Sequence, residues 1–131
     1  MNINNQYLKH IWKYIFIFYI LILLFISIAA YLRIIPNEIK QFPHYDTLLH
    51  FILLGFASYF AHRAFNRKYI WKYLPLGPVI ILLLAIAEES SQMFSDIRFF
   101  CFSDLLANVS GIIIFYLFDL VFFKRTQKKL K

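Results

Sequence analysis

The stretch AEESSQMFSDIRFFCFSDLLANVSG, residues 87–111, decides how the rest of the chain is read. It lies between LPLGPVIILLLAI (74–86) and IIIFYLFDLVFF (112–123), which are apolar almost throughout. Into it are gathered Glu88, Glu89, Gln92, Asp96, Arg98, Asp104 and Asn108. A connecting loop needs polar residues, but it does not need paired carboxylates at one end and an asparagine a turn inside the next apolar run. The stretch reads as the end of one helix, a loop and the start of another, with polar side chains held where two apolar helices meet.

Composition supports this reading outward from the stretch. The 131 residues are 61% hydrophobic and 21% aromatic, against about 45–50% apolar in an ordinary soluble domain. A core of this size cannot hide that excess, so a membrane protein is the first class to test. A spanning helix needs about 20 apolar residues, within a range of roughly 17–25. Four runs qualify, predicting helices at about 14–32, 46–62, 74–92 and 104–123 in a single transmembrane domain covering 1–131. The fold class expected is an all-α membrane protein, a bundle of four transmembrane helices. The first run exceeds the 7–15 residues of a signal h-region, so it is expected to stay as a helix. Asp46 suits the N-cap of the second helix, Ser103 or Asp104 that of the fourth, and Pro75 the first helical position of the third. Pro36 and Pro43 should keep the first connection extended or turning.

The formal charge of +7 is spread unevenly. Lys9 and Lys13 precede the first helix; Arg63, Arg67, Lys68 and Lys72 lie between the second and third; Lys124, Arg125, Lys128, Lys129 and Lys131 follow the fourth. Only Arg33, Lys40 and Arg98 fall on the alternate side. The positive-inside rule then places both termini in the cytoplasm. The basic charge serves orientation and lipid contact, and no nucleic-acid motif is present. A single cysteine, Cys101, excludes an internal disulfide. Asp119 is expected to pair with Arg63, Lys124 or Arg125 near the inner interface.

On this topology Asp46 and His50, Glu88, Glu89 and Gln92, Arg98, and Asp104 and Asn108 all come to the outer end. Asp46 and His50 share a helix face at i, i+4, and Asp104, Asn108 and Gly111 continue one stripe, with Gly111 allowing close helix packing. Ionisable groups within a membrane turn toward the bundle interior, since lipid exposure costs about 2.5–3.5 kcal/mol each. A polar cluster opening outward between the second, third and fourth helices is the expectation. The competing reading is architectural: caps, a loop charge, and side chains that only satisfy one another.

The pattern D-x-x-x-H followed by E-x-x-Q-x-F-x-x-x-R-x-x-x-x-x-D-x-x-x-N-x-x-G resembles the VanZ-like family of small bacterial membrane proteins. It is carried by Asp46 and His50, then Glu89, Gln92, Phe94, Arg98, Asp104, Asn108 and Gly111, and spans 46 to about 115. Asp96-Ile97 stands where the family often has Pro-Gly, and Phe115 removes a GxxxG contact after Gly111. The resemblance implies a multi-pass protein of the bacterial cytoplasmic membrane, in a family named for a teicoplanin-resistance member, and it selects Glu89 over Glu88. It implies no particular reaction.

Three functions fit. One is binding or modifying an envelope molecule: a lipid, a lipid-linked wall precursor or an amphipathic glycopeptide, with Arg98 suited to a phosphate or carboxylate. The second is an enzyme with His50 as general base, oriented by Asp46 or Glu89, and Asp104 as a second acid. The third is a structural or assembly partner of a larger envelope complex, as a homo- or hetero-oligomer. One histidine among carboxylates without HExxH spacing is a weak zinc pattern, so no metal or other cofactor is expected.

Overall fold

Helices dominate because the chain offers long apolar runs with few glycines to break them. The computed structural model describes residues 3–32, 34, 44–94 and 100–129, with side chains for those between 10 and 123. Among the described residues four helices appear in chain order: α1 (Ile3–Tyr31), α2 (Tyr45–Ala64), α3 (Leu76–Gln92) and α4 (Phe102–Lys129). Two strands, β1 (Tyr69–Trp71) and β2 (Leu74–Pro75), pair antiparallel between α2 and α3.

Several boundaries differ from those expected from hydropathy. α1 starts at Ile3 rather than near 14, since no proline or glycine interrupts residues 3–13. α4 runs to Lys129 rather than 123, since no proline or glycine interrupts residues 112–129. α2 is entered through His44 in a left-handed conformation (φ 56°), so Asp46 lies in the first turn and is not the N-cap. Pro75 is the extended residue before α3, which places Pro78 in the first turn, where a missing N–H breaks no helical bond. Ser103 and Asp104 both lie inside α4, which begins at Phe102. Pro36 and Pro43 lie outside the described residues, as does Arg98.

Side-chain pairings fix the direction of each helix. Thr47, His50, Ser58 and Arg63 meet Asp104, Asn108, Ile112 and Asp119, at nearly constant offsets of 57, 58, 54 and 56 residues, so α2 and α4 run parallel. Trp12 packs on Tyr59 and Phe60, and the Tyr19 hydroxyl donates to the Leu53 carbonyl at 3.0 Å, so α1 is antiparallel to α2. Gly77 meets His62 while Glu89 meets His50, so α3 is antiparallel as well. α1 begins and α4 ends at the same end of the bundle, beside Arg63 and Arg67.

The α2–α4 contact is the closest. A Cβ on Gly111 would collide with the Phe51 carbonyl oxygen, and one on Gly55 would meet the Phe115 ring at 2.5 Å. Phe115, which breaks the small-residue repeat on α4, thus fills a hollow made by glycine on α2.

Burial is inverted relative to a water-soluble protein. Among the described residues, His50, Ser58, His62, Glu89, Gln92, Asp104, Asn108 and Asp119 are buried, against Ala57, Ala61, Ala64, Ile81, Ala85 and Ile112 of the apolar set. Outward stand Tyr14, Phe18, Leu21 and Phe25 on α1, and Ile114, Leu117, Phe118 and Val121 on α4. Two segments, His10–Tyr31 and Phe102–Phe123, are long and apolar enough to cross a membrane. α3, with 17 residues, is about 26 Å long.

Candidate functional site: a polar cluster at the head of an apolar groove

Helix periodicity assembles the cluster. Asp46 and His50 lie on successive turns at the start of α2, Asp104 and Asn108 on successive turns at the start of α4, and Glu89 and Gln92 at the end of α3. Because α2 and α4 run parallel and α3 opposes them, these three ends coincide. Thr47 Oγ1 donates to Asp104 Oδ1 at 2.7 Å. Asn108 Oδ1 lies 3.1 Å from His50 Nδ1; an amide oxygen only accepts, so Nδ1 carries the hydrogen. Glu89 Oε1 stands 3.6 Å from the same Nδ1, while His50 Nε2 faces Asp46 Oδ1 at 3.8 Å. Gln92 Nε2 donates to Glu88 Oε1 at 3.0 Å.

Burial separates the paired glutamates. Glu89 is 1% exposed and faces His50, whereas Glu88 is half-buried on the adjoining side. Asn108 is wholly buried, and its Nδ2 has no hydrogen-bond partner among the described residues. The structure therefore brings Asp46, His50, Glu89, Gln92, Asp104 and Asn108 to one end of the bundle, with Gly111 a turn below as the packing residue. Two overlapping triads, Asp46–His50–Asp104 and His50–Glu88–Glu89, have donor atoms within 4.8 Å of one another, so either offers nitrogen and oxygen ligands to a small cation.

A groove of about 280 Å³ opens beside the cluster, between α1, α2 and α3. Its walls include Leu23, Leu53, Ile81 and Ala85, and its head is formed by Asp46, His50 and Glu88. Along α2 the lining extends from Tyr45 to Ala57, a run of about 18 Å. Sequence reasoning did not find this groove, nor the roles of Thr47 and Glu88 beside it. Threonine is unremarkable on an apolar helix, and the α1 wall becomes visible only once the helices are packed.

A second polar centre lies at the opposite end. Asp119, fully buried on α4, accepts from Arg63 Nε at 2.7 Å and from Arg67 Nε and Nη2 at 3.0 Å each. Arg63 stacks on the Trp12 and Tyr59 rings, at 4.4 and 4.5 Å from their centroids, and Arg67 on Phe123 at 4.1 Å. The sequence pointed to Arg63 and missed Arg67, which lies in the turn beyond the end of α2 and reaches Asp119 only because of how that turn folds back. Asn66 and Arg67 adopt positive φ (54° and 55°), which turns the chain back at the end of α2. No family model, curated protein or solved structure matches the chain.

Proposed function

We propose that the protein is a multi-pass membrane protein of the VanZ-like kind. Its polar cluster receives the polar end of an amphipathic envelope molecule whose apolar tail lies in the adjoining groove. The observation that carries this reading is the continuity of an apolar groove with Asp46, His50 and Glu88 at its head. Long, partly apolar molecules need both parts: a wall that excludes water along the tail, and a few polar groups that fix one end. A membrane lipid, a lipid-linked wall precursor and an amphipathic glycopeptide all have this form. In this reading all four helices cross the cytoplasmic membrane, both termini are cytoplasmic, and the cluster lies at the outer face.

The test uses purified full-length protein and a fluorescent lipid-linked wall precursor as probe. Ala30→Phe adds bulk to the α1 wall of the groove, and His50→Ala removes the central side chain of its head. Each is expected to weaken binding tenfold or more, on the order of 1.4 kcal/mol. Unchanged binding by both, in protein that still folds, would sink the proposal.

A second reading has its own support. The Thr47–Asp104 and His50–Asn108 bonds join α2 to α4. In an assembly partner that joining would be the cluster's whole purpose. It predicts that His50→Ala lowers stability, while Ala30→Phe leaves the envelope phenotype intact.

A further inference from the structure

At the end of the bundle away from the polar cluster, the described basic residues are engaged in different ways, and Lys72 lies over the Tyr73 ring. Arg63 and Arg67 are committed to the buried carboxylate of Asp119. Lys13 and Lys68 have no ion-pair partner among the described residues. These two lysines, one from α1 and one from the turn after α2, line a single cavity of about 380 Å³. Phe16, Ile17, Phe65 and Leu76 supply its apolar surface, and no carboxylate lines it.

Lys68 rises from a fixed base. Its N–H donates to the Phe65 carbonyl at 3.1 Å, and its own carbonyl accepts from Leu76 N–H at 2.9 Å. Lys13 stands on a continuous helix, with Phe16 and Ile17 one turn further along the same face. Beside the cavity, the hairpin exposes Ile70, Trp71 and Tyr73, the kind of residues that settle at a headgroup boundary.

We propose that this cavity binds an anionic phospholipid. The phosphate lies between the Lys13 and Lys68 ammonium groups, and an acyl chain lies against Phe16, Ile17, Phe65 and Leu76. Charge complementarity favours an anionic headgroup over a zwitterionic one, and the apolar walls favour a lipid over a water-soluble phosphate. The site is separate from the polar cluster and does not depend on the ligand proposed there.

The chain's own fluorescence reports on it. Its 2 tryptophans, Trp12 and Trp71, both belong to this end of the bundle. Full-length protein is reconstituted in phosphatidylcholine vesicles containing a small fraction of brominated phosphatidylglycerol, and tryptophan quenching is compared with that from the same fraction of brominated phosphatidylcholine. The expected preference for the anionic lipid is roughly fivefold. K13Q/K68Q should abolish it, and K72Q, which removes the same kind of charge outside the cavity, should retain it. No preference in the unaltered protein, a preference that survives K13Q/K68Q, or an equal loss in K72Q would each overturn the proposal. If the double variant does not accumulate, K13Q and K68Q are read singly, each expected to lose part of the preference and each overturning the site if it loses none.

Discussion

Gly111 has no room for a side chain: the Phe51 carbonyl of α2 occupies the place a methyl group would take. Backbone cannot turn aside as a side chain can. Gly111→Ala should therefore force α2 and α4 apart, at a cost of about 1–3 kcal/mol. Gly55→Ala is the contrasting case, because its methyl would meet the Phe115 ring. A smaller loss is expected there, recovered by adding Phe115→Leu. Thermal unfolding in detergent measures both, and a Gly111→Ala protein as stable as the parent would show that the helices do not approach this closely. The motif reading singled out Gly111 because glycine on an apolar helix signals close approach. It treated Phe115 as an interruption, since the hollow that accepts the ring belongs to another helix and α4 alone carries no trace of it.

α4 is held to α2 by a stripe of Asp104, Asn108, Gly111, Phe115 and Asp119, spaced four, three, four and four residues apart. One helical face carries them all. The last member is the most exacting, because Asp119 is fully buried with two guanidinium groups upon it. Asp119→Ala would leave both arginines without their shared carboxylate in an apolar setting. Breaking a buried pair in this way costs about 3–5 kcal/mol. A large fall in thermal stability is expected, partly relieved when Arg67→Leu is added; an unchanged midpoint for Asp119→Ala would refute the clamp. Much of this stripe was legible in the sequence, since polar residues at helical spacing within an apolar run stand out. Its counterpart on α2 and the turn after it was less so: Asp46 and His50 stood out, while Thr47 and Arg67 did not. Helix ends were the least legible part. Hydropathy marks where a chain becomes apolar, whereas the helix continues until something stops it, as at both outer ends of α1 and α4. The β1–β2 hairpin left only an aromatic, proline-bearing run that an interfacial belt would equally produce.

At the scale of the whole molecule, among the four described helices each runs opposite to the one before it, so the polar cluster and the Asp119 clamp mark opposite ends. The proposed orientation puts the cluster outside. Cys101 is exposed on the cluster's end, and Ile70 is exposed in the hairpin at the other. In intact cells an impermeant thiol reagent should label Cys101, and in a Cys101→Ser background it should reach Ile70→Cys only after the membrane is opened. The reverse pattern would invert the protein in the membrane. The groove adds a different consequence, which comes from the length of α3. At 17 residues and about 26 Å, α3 falls short of the roughly 30 Å hydrocarbon layer. A bilayer meeting a short span thins toward it. In the proposed multi-pass reading α3 forms one wall of the groove and carries Glu88 at its end, so that headgroups would be drawn inward beside Asp46 and His50. On that reading the protein prepares its surroundings as well as its pocket, with the membrane thinnest where the proposed ligand's polar end enters.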